Sequence, residues 1–167
     1  MIRLAPLAVL LVFAIALRAD PIKKDKPPEL DKLAREQVEK FWKAVFDGKP
    51  DDAIALMGLP FMTPDGIEKN HDKFKQAMSE AKPPGLEIKT LDSVEPKRLN
   101  EYLKDKKMTE HEAEKIASYE KHVGKDGRIV VVQMTLNGQE LPTKSPVVLI
   151  AFGSDKKPKV VGFDYAR

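Results

Sequence analysis

The sequence predicts an α+β domain, with N-terminal helices packed on one face of an antiparallel sheet. Two observations predict it. Apolar residues recur at spacings of three and four between Leu30 and Phe46, which is the period of a helix with one buried face. The last 40 residues instead hold three β-branched, apolar runs separated by turn residues. Helices first and strands last is the order of a layered α+β fold rather than of alternating β-α-β units.

The chain has 167 residues, enough for one domain. Residues 1–19 (MIRLAPLAVLLVFAIALRA) form a short basic start, then an uncharged run from Leu4 to Leu17, then small residues. That is the layout of a secretory signal peptide. Its 14-residue apolar core is shorter than the roughly 20 residues a spanning helix needs, so no stable membrane insertion is expected. Cleavage fits best at Ala14-Ile15-Ala16, with a cut after Ala19 as the alternative. The expected location is secreted or periplasmic. Residues 20–28 (DPIKKDKPP) are charged and proline-rich and read as a disordered linker. Residues 29–167 make the single domain.

The first helix, Leu30–Phe46, ends at Asp47-Gly48, where Gly48 suits a left-handed cap. Pro50 opens a second helix, which Gly58 is expected to stop. Leu59–Met62 is extended, and Thr63-Pro64-Asp65-Gly66 is a turn. A third helix is expected from Glu68 to Ala81, broken by Pro83-Pro84-Gly85. Leu86–Val94 follows as a strand with Leu86, Ile88 and Thr90 on one side. Residues 96–107 and 109–122 read as two helices. They are so highly charged that the segment 95–124 is expected to be a solvated helical insertion rather than core. Arg128–Leu136, Pro146–Phe152 and Lys159–Tyr165 are the terminal strands, and Asn137-Gly138 marks a turn after the first of them.

The helix VEKFWKAVFDGKPDDAIALMGLPFM, the Pro-Asp-Gly turn, the next helix and the terminal meander together resemble the nuclear transport factor 2-like superfamily, over about Leu30–Arg167. The resemblance implies a curved sheet closed by the helices into a cone whose open end can hold a small ligand. It also implies a choice between enzymes, such as isomerases and dehydratases, and non-catalytic binding domains.

Composition excludes several functions. The formal charge of +3 is partly the leader: without Arg3 and Arg18 there are 27 basic against 26 acidic residues. A nearly neutral domain does not point to nucleic acid. With no cysteine there is no disulfide scaffold, no lipid-modified cysteine and no thiol nucleophile. Glu110-His111-Glu112 lacks the second histidine of a helical zinc motif, since position 115 is Lys115, so no metal is expected. No Gly-rich phosphate loop and no Gly-x-Ser-x-Gly occur, and no cofactor is expected.

Candidate site residues remain few. Asp164 and Tyr165, beside Phe163 in the last strand, are candidates for an acid or phenol inside the cone; the alternative is that Asp164 faces solvent or binds backbone. His71 beside Asp72 is a candidate proton relay, against which stands the fact that helix neighbours do not face each other. Trp42, Phe61 and Phe163 are candidates for lining a ligand site. Three readings follow. The first is an exported non-catalytic domain that binds a small apolar ligand or a protein. The second is a cofactor-free isomerase, dehydratase or hydrolase. The third is a homodimer through the C-terminal sheet, because those strands are apolar on both faces.

Overall fold

A computed structural model describes residues 29–79, 84–102, 110–141 and 146–165. The expected leader and linker lie outside them. Helix α1 (Glu29–Phe46) and helix α2 (Pro50–Ala55) are joined through Gly48, whose φ of +66° is the left-handed cap the sequence called for. Strand β1 (Met57–Thr63) turns at Pro64-Asp65 into the short strand β2 (Gly66–Glu68). Helix α3 (Asp72–Ser79) is followed by strand β3 (Leu86–Val94), and then by helices α4 (Pro96–Tyr102) and α5 (Glu110–Val123). Strands β4 (Arg128–Leu136), β5 (Gln139–Glu140), β6 (Pro146–Phe152) and β7 (Pro158–Tyr165) complete the chain.

The strands form one curved, open sheet in the order β2-β1-β7-β6-β4-β3, with β5 paired to β4 beyond the Asn137-Gly138 turn. All pairs are antiparallel except β1 with β7, which run parallel. Irregularities at Thr90/Asp92, Leu149/Ile150 and Met57/Met62 break the register and bend the sheet.

Two expectations about the second helix and third helix shift. Gly58 does not end α2; it lies inside β1, where a Cβ would come within 2.9 Å of Val161 Cγ1 on β7, so the glycine permits close strand approach. Glu68 joins β2 rather than α3. The helix starts at Asp72, whose backbone N–H donates to Asn70 Oδ1 at 2.6 Å.

Each face of the sheet carries its own core. On one face Ala34, Val38, Phe41 and Val45 of α1 meet Val130, Val132, Val148 and Ile150. On the other, Leu99 of α4 and Ile116, Tyr119 and Val123 of α5 meet Ile129, Val131, Val147 and Leu149. Leu99 and Tyr119 are fully buried. The described helices of the segment 95–124, α4 and α5, are therefore not the solvated excursion their charge suggested. Ile116, Tyr119 and Val123 stand three and four apart and make an apolar stripe on an otherwise charged helix. The same packing answers the both-faced apolar strands that motivated a sheet-to-sheet homodimer: the second face is covered by this chain's own α4 and α5.

Candidate functional site

Helix α5 is fastened to the last strand by polar contacts at three levels. Near its start Lys115 Nζ donates to Asp164 Oδ1 at 2.9 Å and to the Tyr165 carbonyl at 2.7 Å. One turn on, the Tyr119 hydroxyl donates to Asp164 Oδ2 at 2.9 Å. Near its end His122 Nε2 lies 2.8 Å from the Val161 carbonyl. Lys115 and Tyr119 share a helix face because they are four residues apart. Asp164 is 4% exposed, and Oδ1 also accepts the Tyr165 backbone N–H at 2.7 Å. Both of its oxygens are thus committed. Burial first, and then the Asp164 carboxylate beside it, push the Tyr119 phenol far above the usual tyrosine range.

Beside this staple an open cleft of about 440 Å³ separates the β1–β2 hairpin from α5. Met62, Pro64 and Ile67 line it from the hairpin; Glu114, Lys115 and Ser118 line it from the helix; the buried Asp164 also contributes. Ile67 is 47% exposed.

The sequence candidates are not brought together. Asp164 faces α5, whereas Phe163 and Tyr165 face the side of α1. Phe163 meets Trp42 edge to face at 6.0 Å and Tyr165 at 5.4 Å. Trp42 also meets Phe41 at 5.2 Å and Phe46 at 6.1 Å. Its indole Nε1 is buried with no hydrogen-bond partner. Phe61 is 4% exposed and packs on Phe74 at 4.6 Å, within the α1-side core. The general-base reading of Asp164 inside the cone therefore fails on geometry: the carboxylate lies on the opposite face from the aromatic cluster and is bonded three ways. Of the alternative, the solvent-facing half fails because Asp164 is buried, while the backbone-binding half holds, since Asp164 Oδ1 accepts the Tyr165 N–H. His71 sits at a bend before α3, where its carbonyl accepts the Lys75 N–H at 2.9 Å and its Nε2 has no partner.

Lys115, Tyr119 and Ser118 were not candidates in the sequence. The signal was the i, i+4 pair Lys115/Tyr119 opposite a lone acid in the terminal strand, and nothing in one-dimensional spacing links position 119 to 164. Among the described residues no group of three or more histidine, cysteine or acidic residues is placed to hold a metal ion, and no helix is long and apolar enough to cross a membrane.

A helical layer against a curved, open, mixed sheet defines the class of fold. In fold the chain is similar to nuclear transport factor 2-like and cystatin-like proteins. One is an NTF2-like protein of unknown function from Cytophaga hutchinsonii, at 10% identity and a TM-score of 0.43, covering 78% of this chain and 86% of that one. Another is a cystatin-like domain of unknown function from Nostoc punctiforme, at 15% and 0.47, covering 82% and 76%. A third is a cystatin-fold protein from Novosphingobium aromaticivorans, at 10% and 0.44, covering 80% and 97%. The likeness is one of fold alone. The chain matches no protein-family model and no curated protein.

Proposed function

We propose that this is an exported, non-catalytic binding domain that takes a small, largely apolar molecule in the cleft between the β1–β2 hairpin and α5. The observation that carries the reading is the combination found there: an open apolar-walled cleft whose acid, Asp164, is already bonded by Lys115, Tyr119 and its own chain. A cavity of several hundred Å³ with a few fixed polar groups suits ligand binding. A general base needs a free lone pair within reach of its substrate, and three of the roughly four acceptor sites of Asp164 are already taken. Nile red is a suitable neutral probe. Its fluorescence is expected to rise with the wild-type protein and to fall to background with Ile67→Asp, a substitution at an exposed position. An undiminished response from the variant would overturn the cleft as the site. Export is supported by the leader pattern in residues 1–19, and predicts a secreted product whose intact mass begins near Leu17 or Asp20.

A second reading has one observation in its favour. The unpartnered Trp42 Nε1 on the α1 side would be completed by an acceptor atom of a ligand lying against Phe163. Trp42 is the only tryptophan, so its emission reports directly. Ligand addition that leaves Trp42 emission unchanged speaks against this side.

A further inference from the structure

Resting on the reading of that cleft as a binding site, we infer that its ligand is a cationic amphiphile: an apolar chain or ring carrying an amine. The inference comes from which polar atoms of the cleft are spent and which are free. Ser118 Oγ donates its proton to the Lys115 carbonyl at 2.6 Å, and Thr63 Oγ1 donates to the Gly66 carbonyl at 3.1 Å. A hydroxyl whose proton is committed offers only lone pairs. Lys115, the only cation in the lining, is matched by Asp164 and also serves the Tyr165 carbonyl. Glu114 is different. It lines the cleft, is exposed, and has no ion-pair or hydrogen-bond partner among the described residues.

Apart from the one Lys115 Nζ proton left over by Asp164 and the Tyr165 carbonyl, the free side-chain polar surface of the cleft is made of acceptors, and it carries one uncompensated negative charge. An ammonium is the complementary group, because it has three donors and no acceptor. A carboxylate or phosphate would meet lone pairs and a like charge instead. Met62, Pro64 and exposed Ile67 supply the surface for the apolar part. Binding would cover the Ile67 side chain, which the fold leaves open to water.

Three probes of equal chain length separate the possibilities: octylammonium, octan-1-ol and octanoate, titrated at pH 7 into the full mature chain. The readout is the shift of the Ile67 and Ser118 backbone amide signals by NMR. Octylammonium is expected to bind about two- to fivefold tighter than octan-1-ol, the upper part of the range for an exposed charge pair, and octanoate weakest of the three. Glu114→Gln, a change at an exposed position, is expected to bring octylammonium down to the level of octan-1-ol. If octanoate or octan-1-ol binds as tightly at the same amides, or if Glu114→Gln changes nothing, the cationic ligand is overturned while the cleft survives as a binding site. If no probe moves Ile67 and Ser118, the cleft itself is not the site and both readings fall.

Discussion

The Tyr119 hydroxyl donates to Asp164 Oδ2 across 2.9 Å, joining the middle of α5 to the penultimate described residue of the last strand. Both residues are buried, so this bond decides whether two polar groups on the second face are satisfied or orphaned. Removing the hydroxyl in Tyr119→Phe leaves Asp164 Oδ2 without its donor. The expected loss is about 1–3 kcal/mol of folding stability, read as a lower urea midpoint at an unchanged m-value. A midpoint equal to the wild type would show that the bond contributes nothing.

The raised Tyr119 phenol makes stability fall in strong alkali. An unfolded tyrosine loses its proton near pH 10, while folded Tyr119 keeps its own well beyond that. Above pH 10 the unfolded state therefore binds fewer protons than the folded one, and stability decreases as pH rises, by at most about 1.4 kcal/mol per pH unit. Below pH 10 the contribution is constant. Urea unfolding at intervals from pH 9 to 11.5 is expected to show a steeper fall for wild type than for Tyr119→Phe. Parallel curves would remove Tyr119 as the cause.

Two ion pairs that look alike on paper should differ in weight. Arg128 Nε donates to Asp31 Oδ1 at 2.6 Å with side chains only 6% and 13% exposed, while its Nη1 serves the Asp126 and Gly127 carbonyls. Arg35 meets Asp92 at 2.8 Å with both side chains 29% exposed. Asp31→Asn leaves the buried guanidinium only the longer pair with Glu95 at 3.8 Å and is expected to cost about 2–4 kcal/mol. Asp92→Asn is expected to cost under about 1 kcal/mol. Thermal melting of the two variants side by side checks the order, and equal losses would contradict it.

Gly127 closes the connection from α5 into β4. A Cβ there would lie 2.7 Å from the Val123 carbonyl oxygen and against the Val123 side chain, itself part of the second core. Gly127→Ala must push the end of α5 off the sheet and is expected to cost about 1–3 kcal/mol. Hydrogen exchange should localise the effect, with faster exchange in α5 and unchanged protection in α1.

The sequence was legible where one period dominated. The α1 stripe from Ala34 to Val45 and the β-branched runs of β4, β6 and β7 each show a single pattern, and each formed the element it predicts. Helix α5 was misjudged as solvated because its charges outnumber its apolar residues, although only Ile116, Tyr119 and Val123 need be apolar to cover a sheet face. The face of Asp164 was legible only in part. Strand alternation sets it opposite Phe163 and Tyr165, but an irregularity near Gly162 shifts the residues before it, and which face meets α1 is a matter of tertiary packing. The Lys115–Asp164–Tyr119 cluster and the cleft beside it depend on contacts 45 and 49 positions apart, which no local pattern encodes.

The parallel pairing of β1 with β7 also dictates an order of events during synthesis. Met57 pairs beside Val160, the Leu56 carbonyl accepts the Val160 N–H, and Lys159 Nζ reaches the Ala55 carbonyl 104 positions away. Among the described residues the β1–β2 hairpin has no other strand to join, so its edge stays unpaired until β7 has been made. A nascent chain cut anywhere before β7 carries an unpaired apolar ribbon.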